Sequence, residues 1–136
     1  MSGLPSHSEV VIIGGGVVGC SIAYHLAEKD IQVTLIERKS LTCGTTWHAA
    51  GLVGQLRATK NLIKMAKYST NLYRALNEKD DLSAGFLING SISIAENDGR
   101  VEEMSRGATM GRSFGLDIEN ISIDQIKKRY PLLDMK

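Results

Sequence analysis

Residues 10–37 read VVIIGGGVVGCSIAYHLAEKDIQVTLIE, and no other stretch of the chain limits its fold so tightly. An apolar run enters Gly14-Gly15-Gly16-Val17-Val18-Gly19, a helical pattern follows, and a second apolar run closes on an acid. The pattern is a strand, a turn, a crossover helix and a parallel strand. Gly14 allows the tight turn out of the strand, Gly16 lets backbone N–H groups come close to a pyrophosphate, and Gly19 lets the helix pack near the strand. Gly15, Val17 and Val18 complete the turn. Phosphates would sit at the helix N-terminus, where free N–H groups and the helix dipole favour negative charge. Glu37 ends the second strand about twenty residues on, where a carboxylate accepts hydrogen bonds from ribose hydroxyls. The same charge repels a 2′-phosphate and so disfavours NADP. Arg38 and Lys39 either flank an adenine or form a solvated strand end.

Two plainer readings compete. One is a βαβ turn that serves packing alone, with Glu37 in solvent. The other is a membrane span, since residues 10–27 are mostly apolar. Three consecutive glycines, Ser21, His25 and the ready division into a short strand and an amphipathic helix argue against the span.

Composition narrows the partners. With 43% hydrophobic and 23% charged residues the chain has globular composition, and a net charge of +1 gives no reason to expect nucleic acid or an anionic membrane. Cys20 and Cys43 are isolated, with no CxxC pair, so a reducing compartment is the simpler expectation and no metal site is expected. Residues 1–8 carry no Lys or Arg and no apolar core, which speaks against a signal or transit peptide and makes the cytoplasm the default location.

Along the chain, residues 9–13 read as a buried parallel strand, 17–28 as its crossover helix with Ile22, Ala23 and Leu26 on one face, and 32–36 as the second strand. Residues 40–55 form a long aperiodic connection, the kind that often carries function. Residues 59–79 read as a helix. Leu62, Met65, Ala66, Ser69, Leu72, Tyr73 and Leu76 fall on one face, opposite a basic stripe of Lys60, Lys64, Lys67, Asn71 and Arg74 that is a solvated face or an anion site. Asn89-Gly90 suggests a hairpin within 86–95, and Ile92 and Ile94 alternate with Ser91 and Ser93 as on a half-buried strand. Residues 98–114 read as a helix with Gly107, Gly111 and Gly115 four apart, for close packing. A short strand is expected at 116–121. Ser122 with Gln125 forms a capping box for a helix to Arg129, stopped by Pro131.

The βαβ unit does not distinguish nicotinamide from flavin, but residues 41–52 bear on that choice. Gly44, Thr45 and Thr46 are small and polar, suited to a pyrophosphate and ribityl chain. Ala49, Ala50 and Gly51 leave room for a flat ring. His48 sits between these groups with a nucleophilic imidazole, and Trp47 either walls the ring or belongs to a core. Here ERKSLTCGTTWHAAGLVGQLR resembles the corresponding stretch of the dimethylglycine and sarcosine dehydrogenases and dimethylglycine oxidase, flavoproteins of the D-amino-acid-oxidase type. GSISIA and ISIDQIKKRYPLL are similar to the same group, so the resemblance covers essentially the whole chain, and the Trp-His-Ala-Ala-Gly run is its most specific part.

The resemblance implies FAD bonded covalently through its 8α-methyl carbon to His48, by addition of a neutral imidazole to an electrophilic quinone-methide form of the flavin. It implies hydride transfer from an N-methylated glycine derivative to flavin N5, leaving an iminium. In several relatives a separate domain binds tetrahydrofolate, a cofactor that would belong to a part of the protein beyond these residues. The substrate-contacting residues of the family also lie further along, so no catalytic acid or base is nominated. His7 and His25 read as structural or solvated.

The expected fold class is therefore α/β. Residues 1–80 would be the N-terminal part of a Rossmann-like FAD-binding domain, and residues 81–136 the start of a mixed α+β substrate domain. One βαβ unit is too little for a doubly wound sheet. The chain is thus expected to be a piece of a longer polypeptide, and by itself neither to catalyse nor to retain flavin well. Two other readings stay open: a noncatalytic regulatory protein of the same architecture, such as the regulatory subunit of pyruvate dehydrogenase phosphatase, which His48 disfavours, and an NAD-binding module. The choice among N-methyl amines, the electron acceptor and the oligomeric state are not readable from these residues.

Overall fold

A computed structural model describes residues 5–79 and 84–134. The chain divides into two compact units, Met1–Leu52 and Val53–Lys136. The boundary expected between residues 80 and 81 lies outside the described residues.

The first unit is the βαβ. Strand β1 (Val10–Ile13) runs parallel to β2 (Val33–Ile36), with Val10 opposite Val33 and Ile13 opposite Ile36. Helix α1 (Val17–Ala27) crosses between them and packs on both strands. β-Branched residues favour the strands. The crossover is needed because parallel strands cannot be joined by a tight turn. Gly14 leaves β1 at φ +105°, a conformation that L side chains rarely adopt, and its amide donates to Ile36 O at 2.8 Å. A Cβ on Gly19 would collide with the carbonyl oxygen of Gly14. That glycine is therefore required by the closeness of helix to turn.

Two burial expectations need correction in this unit. Only Ile12 of β1 is buried, while Val11 and Ile13 are exposed, because within this unit helix α1 packs on one face of a two-stranded sheet. On α1 the buried residue is Gly19, with Ala23 and Leu26 half-buried, whereas Ile22 is exposed.

The second unit holds α2 (Lys60–Lys79), α3 (Asp98–Ser113) and α4 (Ile123–Arg129). Its buried residues include Ile63, Thr70, Ala108, Gly111, Leu116 and Ile126. Asn97 caps α3 by accepting the Arg100 amide, and the expected capping box forms on α4: Ser122 Oγ accepts the Gln125 amide and Gln125 Oε1 accepts the Ser122 amide. Gly111 sits where a Cβ would meet Ile118, Leu56 and Leu116, so its smallness serves packing as expected; Gly107 has open space around it.

The inward face of α2 keeps Ala66, Leu72, Tyr73 and Leu76 of the apolar stripe read in the sequence, all half-buried, but differs from it elsewhere. Ile63 and Thr70 are buried and Lys67 half-buried, while Leu62 and Met65 are exposed. For the polar residues the cause is hydrogen bonding. Lys67 Nζ donates to Phe114 O and Gly115 O at the end of α3, Thr70 Oγ1 accepts from Gln55 Nε2 at 2.6 Å, and the Asn77 side chain pairs with the Phe86 backbone. Polar side chains so partnered can turn inward at little cost. The basic stripe is accordingly broken, with Lys67 engaged and Lys60 lying 5.7 Å from the Phe114 ring centroid.

Neither extra strand forms. Residues 86–95 and 116–121 form no strand ladder. Gly90 has φ +74° but Asn89 does not share the left-handed region, and a type I′ hairpin turn needs both residues there. Among the described residues no helix is long and apolar enough to cross a membrane.

Candidate cofactor site

The site is built where β1, α1 and the end of β2 meet. Gly16 precedes α1 in extended conformation and offers no side chain to cap the helix. The first amides of a helix lack intrahelical partners and seek an acceptor. Thr46 supplies one: its Oγ1 accepts the Val17 amide at 2.9 Å. A Cβ on Gly16 would press on that oxygen at 3.1 Å. The glycine therefore makes room for Thr46 as well as for whatever approaches the turn.

Glu37 binds the turn from the other side. Its Oε2 accepts the Gly15 amide at 2.8 Å and its Oε1 accepts the Lys39 amide at 2.9 Å. These backbone hydrogen bonds, first that of Gly15, hold the carboxyl below the usual glutamate range, and the neighbouring Arg38 charge adds to them. A carboxylate has about four acceptor positions. Two taken by amides leave two for ribose hydroxyls, so the structural and the ligand-binding readings of Glu37 are compatible.

The aperiodic connection folds back over the glycines. The Thr42 amide donates to Gly15 O at 2.8 Å, and Leu41 packs where a Cβ on Gly15 would stand. Gly15 is thus a packing position beneath Leu41. Thr42 has φ +64°, unusual for a β-branched residue. Its carbonyl receives the Trp47 amide at 3.1 Å, the start of a 3-10 turn at Thr45–His48. Leu41 and Thr42 were missed in the sequence because apolar and β-branched residues in a loop give no signal of the turn they make. Cys20, whose Sγ lies 3.5 Å from Gly15 O, adds a contact from α1.

His48 closes the turn and is exposed. Its Nδ1 lies 3.0 Å from Gly44 O. A carbonyl only accepts, so Nδ1 carries the proton and, in the neutral ring, Nε2 keeps its lone pair. Trp47 stands edge-on to the imidazole with ring centroids 6.2 Å apart and is 74% exposed, so it is not a core residue. Ala49 donates its amide to Thr46 O, while Ala50 and Gly51 follow exposed, Gly51 at φ +73° with open space around it. Thr45, Arg38 and Lys39 are exposed.

The residues fit a dinucleotide with a reactive ring. A glycine turn opens at the N-terminus of a helix, a carboxylate ends the adjoining strand, and an imidazole with a free nitrogen stands on a turn tied to that same helix end. His7 and His25 take no part. His25 Nδ1 bonds within α1 to Ser21 O, and His7 lies in the segment before β1.

Comparison with known proteins identifies the family. The FAD dependent oxidoreductase family, DAO, matches residues 9–136. Mitochondrial sarcosine dehydrogenase of Mus musculus is 38% identical over 134 residues, 97% of this chain and 15% of that protein. Mitochondrial dimethylglycine dehydrogenase of Homo sapiens is 40% identical over 129 residues, 94% of this chain and 15% of that protein. The mitochondrial regulatory subunit of pyruvate dehydrogenase phosphatase of Mus musculus is 35% identical over 97% of the chain. The chain spans about 15% of the length of these relatives. Among solved structures, L-proline dehydrogenase from P. horikoshii superposes with a TM-score of 0.82 at 29% identity, over 96% of this chain and 34% of that one.

Proposed function

Because this chain belongs to the DAO family of FAD-dependent oxidoreductases, we infer that the whole protein oxidises a small N-methylated amino acid of the sarcosine or dimethylglycine type. The observation that carries the reading is His48: a solvent-facing imidazole, Nδ1 held by Gly44 O, on a turn fastened to the N-terminus of α1. When bound, FAD supplies a two-electron acceptor for hydride from the carbon next to an amine nitrogen.

The residues of this chain bind and orient that group. The open N-terminus of α1 takes the pyrophosphate, Glu37 takes the ribose, and Thr46 and Gly44 border the phosphates. His48 is the covalent anchor, and Nε2 is its reacting atom because Nδ1 is occupied. A link at His48 would replace one C–H of the 8α-methyl group and one imidazole N–H by a C–N bond, and would need an external two-electron acceptor such as dioxygen to take up the two electrons and two protons. A tether of this kind fixes the ring relative to α1 and withdraws electron density from it. The tetrahydrofolate domain implied by the resemblance belongs to the same proposal, as do a small-molecule amine as the partner and the absence of nucleic-acid and membrane partners. A reducing compartment suits the two free thiols, Cys20 and Cys43. The cytoplasm meets that condition; the relatives reported above are named as mitochondrial.

A second reading has its own support, since a regulatory subunit is 35% identical. Anaerobic titration of the full-length protein separates the two. A flavin spectrum that bleaches with sarcosine or dimethylglycine supports the oxidoreductase. A flavin spectrum that neither these nor related N-methyl amines bleach supports the regulatory protein.

A further inference from the structure

We propose that Thr46 is a positioning residue for His48, joining the phosphate end of the cofactor site to the attachment point through one hydroxyl. The proposal rests on the covalent reading of His48 and adds the device that aims the imidazole.

The geometry has three parts. Thr46 Oγ1 accepts the first amide of α1, from Val17, at 2.9 Å. Thr46 and His48 occupy the same 3-10 turn, Thr45–His48, so fixing one limits where the other points. His48 is then held at its far side by Gly44 O, the residue just before that turn. Among the described residues no other side chain of the turn hydrogen-bonds to the glycine loop; its remaining ties are backbone bonds from Trp47 to Thr42 O and Gly44 O and from Ala49 to Thr46 O. The Thr46 hydroxyl is therefore the side-chain link between helix and turn. A hydroxyl has one donor and two acceptor positions. While accepting from Val17, Thr46 can still donate to an anionic oxygen at the helix end. A bound pyrophosphate would tighten this link, and the turn bearing His48 would be held in register with a cofactor already anchored by its phosphates. Gly16 belongs to the same device, because a side chain there would push on Thr46 Oγ1.

The prediction concerns the rate of attachment more than affinity. A nucleophile displaced by about 1 Å loses on the order of a hundredfold in rate. Apoprotein of the full-length chain, from riboflavin-depleted cells, is mixed with FAD in air, and acid-insoluble flavin is followed over time at several FAD concentrations. For Thr46→Val, which keeps the shape and removes the hydroxyl, the limiting rate at saturating FAD should fall by about ten- to a hundredfold. Thr46→Ser should attach close to the wild-type limiting rate. A Thr46→Val protein whose limiting rate is unchanged, with only the half-saturating FAD concentration raised, would overturn the proposal. So would a Thr46→Ser protein as slow as an attachment-deficient Thr46→Val, and that comparison holds even if the valine protein folds poorly. Wild-type protein that forms no acid-insoluble flavin would instead refute the covalent reading itself, and the positioning role with it.

Discussion

The Glu37 carboxylate accepts the Gly15 amide at 2.8 Å, so the acid that ends β2 holds the turn that follows β1. Its pKa is lowered, chiefly by that hydrogen bond. A carboxyl with a depressed folded pKa contributes its stabilisation fully above the ordinary glutamate value of about 4.3 and loses it as pH falls through the lower folded value. Because the folded apoprotein keeps Glu37 ionised to below that ordinary value, FAD affinity of a His48→Ala protein should be flat from neutral pH through the ordinary glutamate range and fall only at lower pH, as the carboxyl takes up its proton. Glu37→Gln should weaken FAD binding several-fold at neutral pH in a fluorescence titration. Unchanged affinity would remove Glu37 from the site.

Gly19 and Gly44 make a paired test of where smallness matters. A Cβ on Gly19 would meet Gly14 O, whereas one on Gly44 meets nothing. Gly19→Ala should destabilise the apoprotein by about 3 kcal/mol or more, at or above the upper end of overpacking costs, because backbone cannot yield as a side chain can. Gly44→Ala should stay within about 0.5 kcal/mol. Urea unfolding of the FAD-free full-length protein measures both, and equal effects would contradict the packing assigned here.

Much of the first unit was legible in the sequence, and the reason is local. Gly14, Gly16 and Gly19 have fixed tasks in a βαβ turn, and period-two and helical patterns on either side agree with them. The capping box at Ser122 and Gln125 was readable for the same reason: both partners lie within one turn of helix. The inward face of α2 was readable only in part: Ala66, Leu72, Tyr73 and Leu76 of the apolar stripe are half-buried, but the polar residues beside them were not foreseen. Lys67, Thr70 and Asn77 turn inward because their partners come from Phe114, Gly115, Gln55 and Phe86, positions that sequence spacing does not bring together. The strand expected at 86–95 failed for a related reason, since alternation marks a residue's fit to a sheet and leaves the pairing partner undetermined. In the site, Glu37 and His48 stood out by residue type. The role of Thr42 as a left-handed pivot did not.

Lys67 caps the carbonyls that end α3. A lysine at a helix C-terminus satisfies orphan acceptors and opposes the negative end of the dipole. Lys67→Met should cost about 1–2 kcal/mol in urea unfolding, while Lys64→Met, on the exposed side of α2, should change stability by less than about 0.5 kcal/mol. The reverse order would restore the basic stripe as one solvated face.

Thr42 holds φ +64° so that its amide reaches Gly15 and its carbonyl receives Trp47. A left-handed conformation costs an L residue about 1–2 kcal/mol, which glycine avoids at a smaller cost in chain entropy. Thr42→Gly should raise apoprotein stability by up to about 1 kcal/mol. A loss of stability would show that the threonine side chain contributes more than its backbone strain takes away.

The covalent role of His48 is tested most directly by acid precipitation of the purified full-length protein. Wild-type protein should carry its flavin into the pellet, and the washed, denatured pellet should fluoresce as flavin after proteolysis. His48→Ala should release its flavin to the supernatant while still binding FAD before denaturation. Flavin released quantitatively from the wild type, or retained equally by His48→Ala, would contradict the assignment of His48 as the anchor.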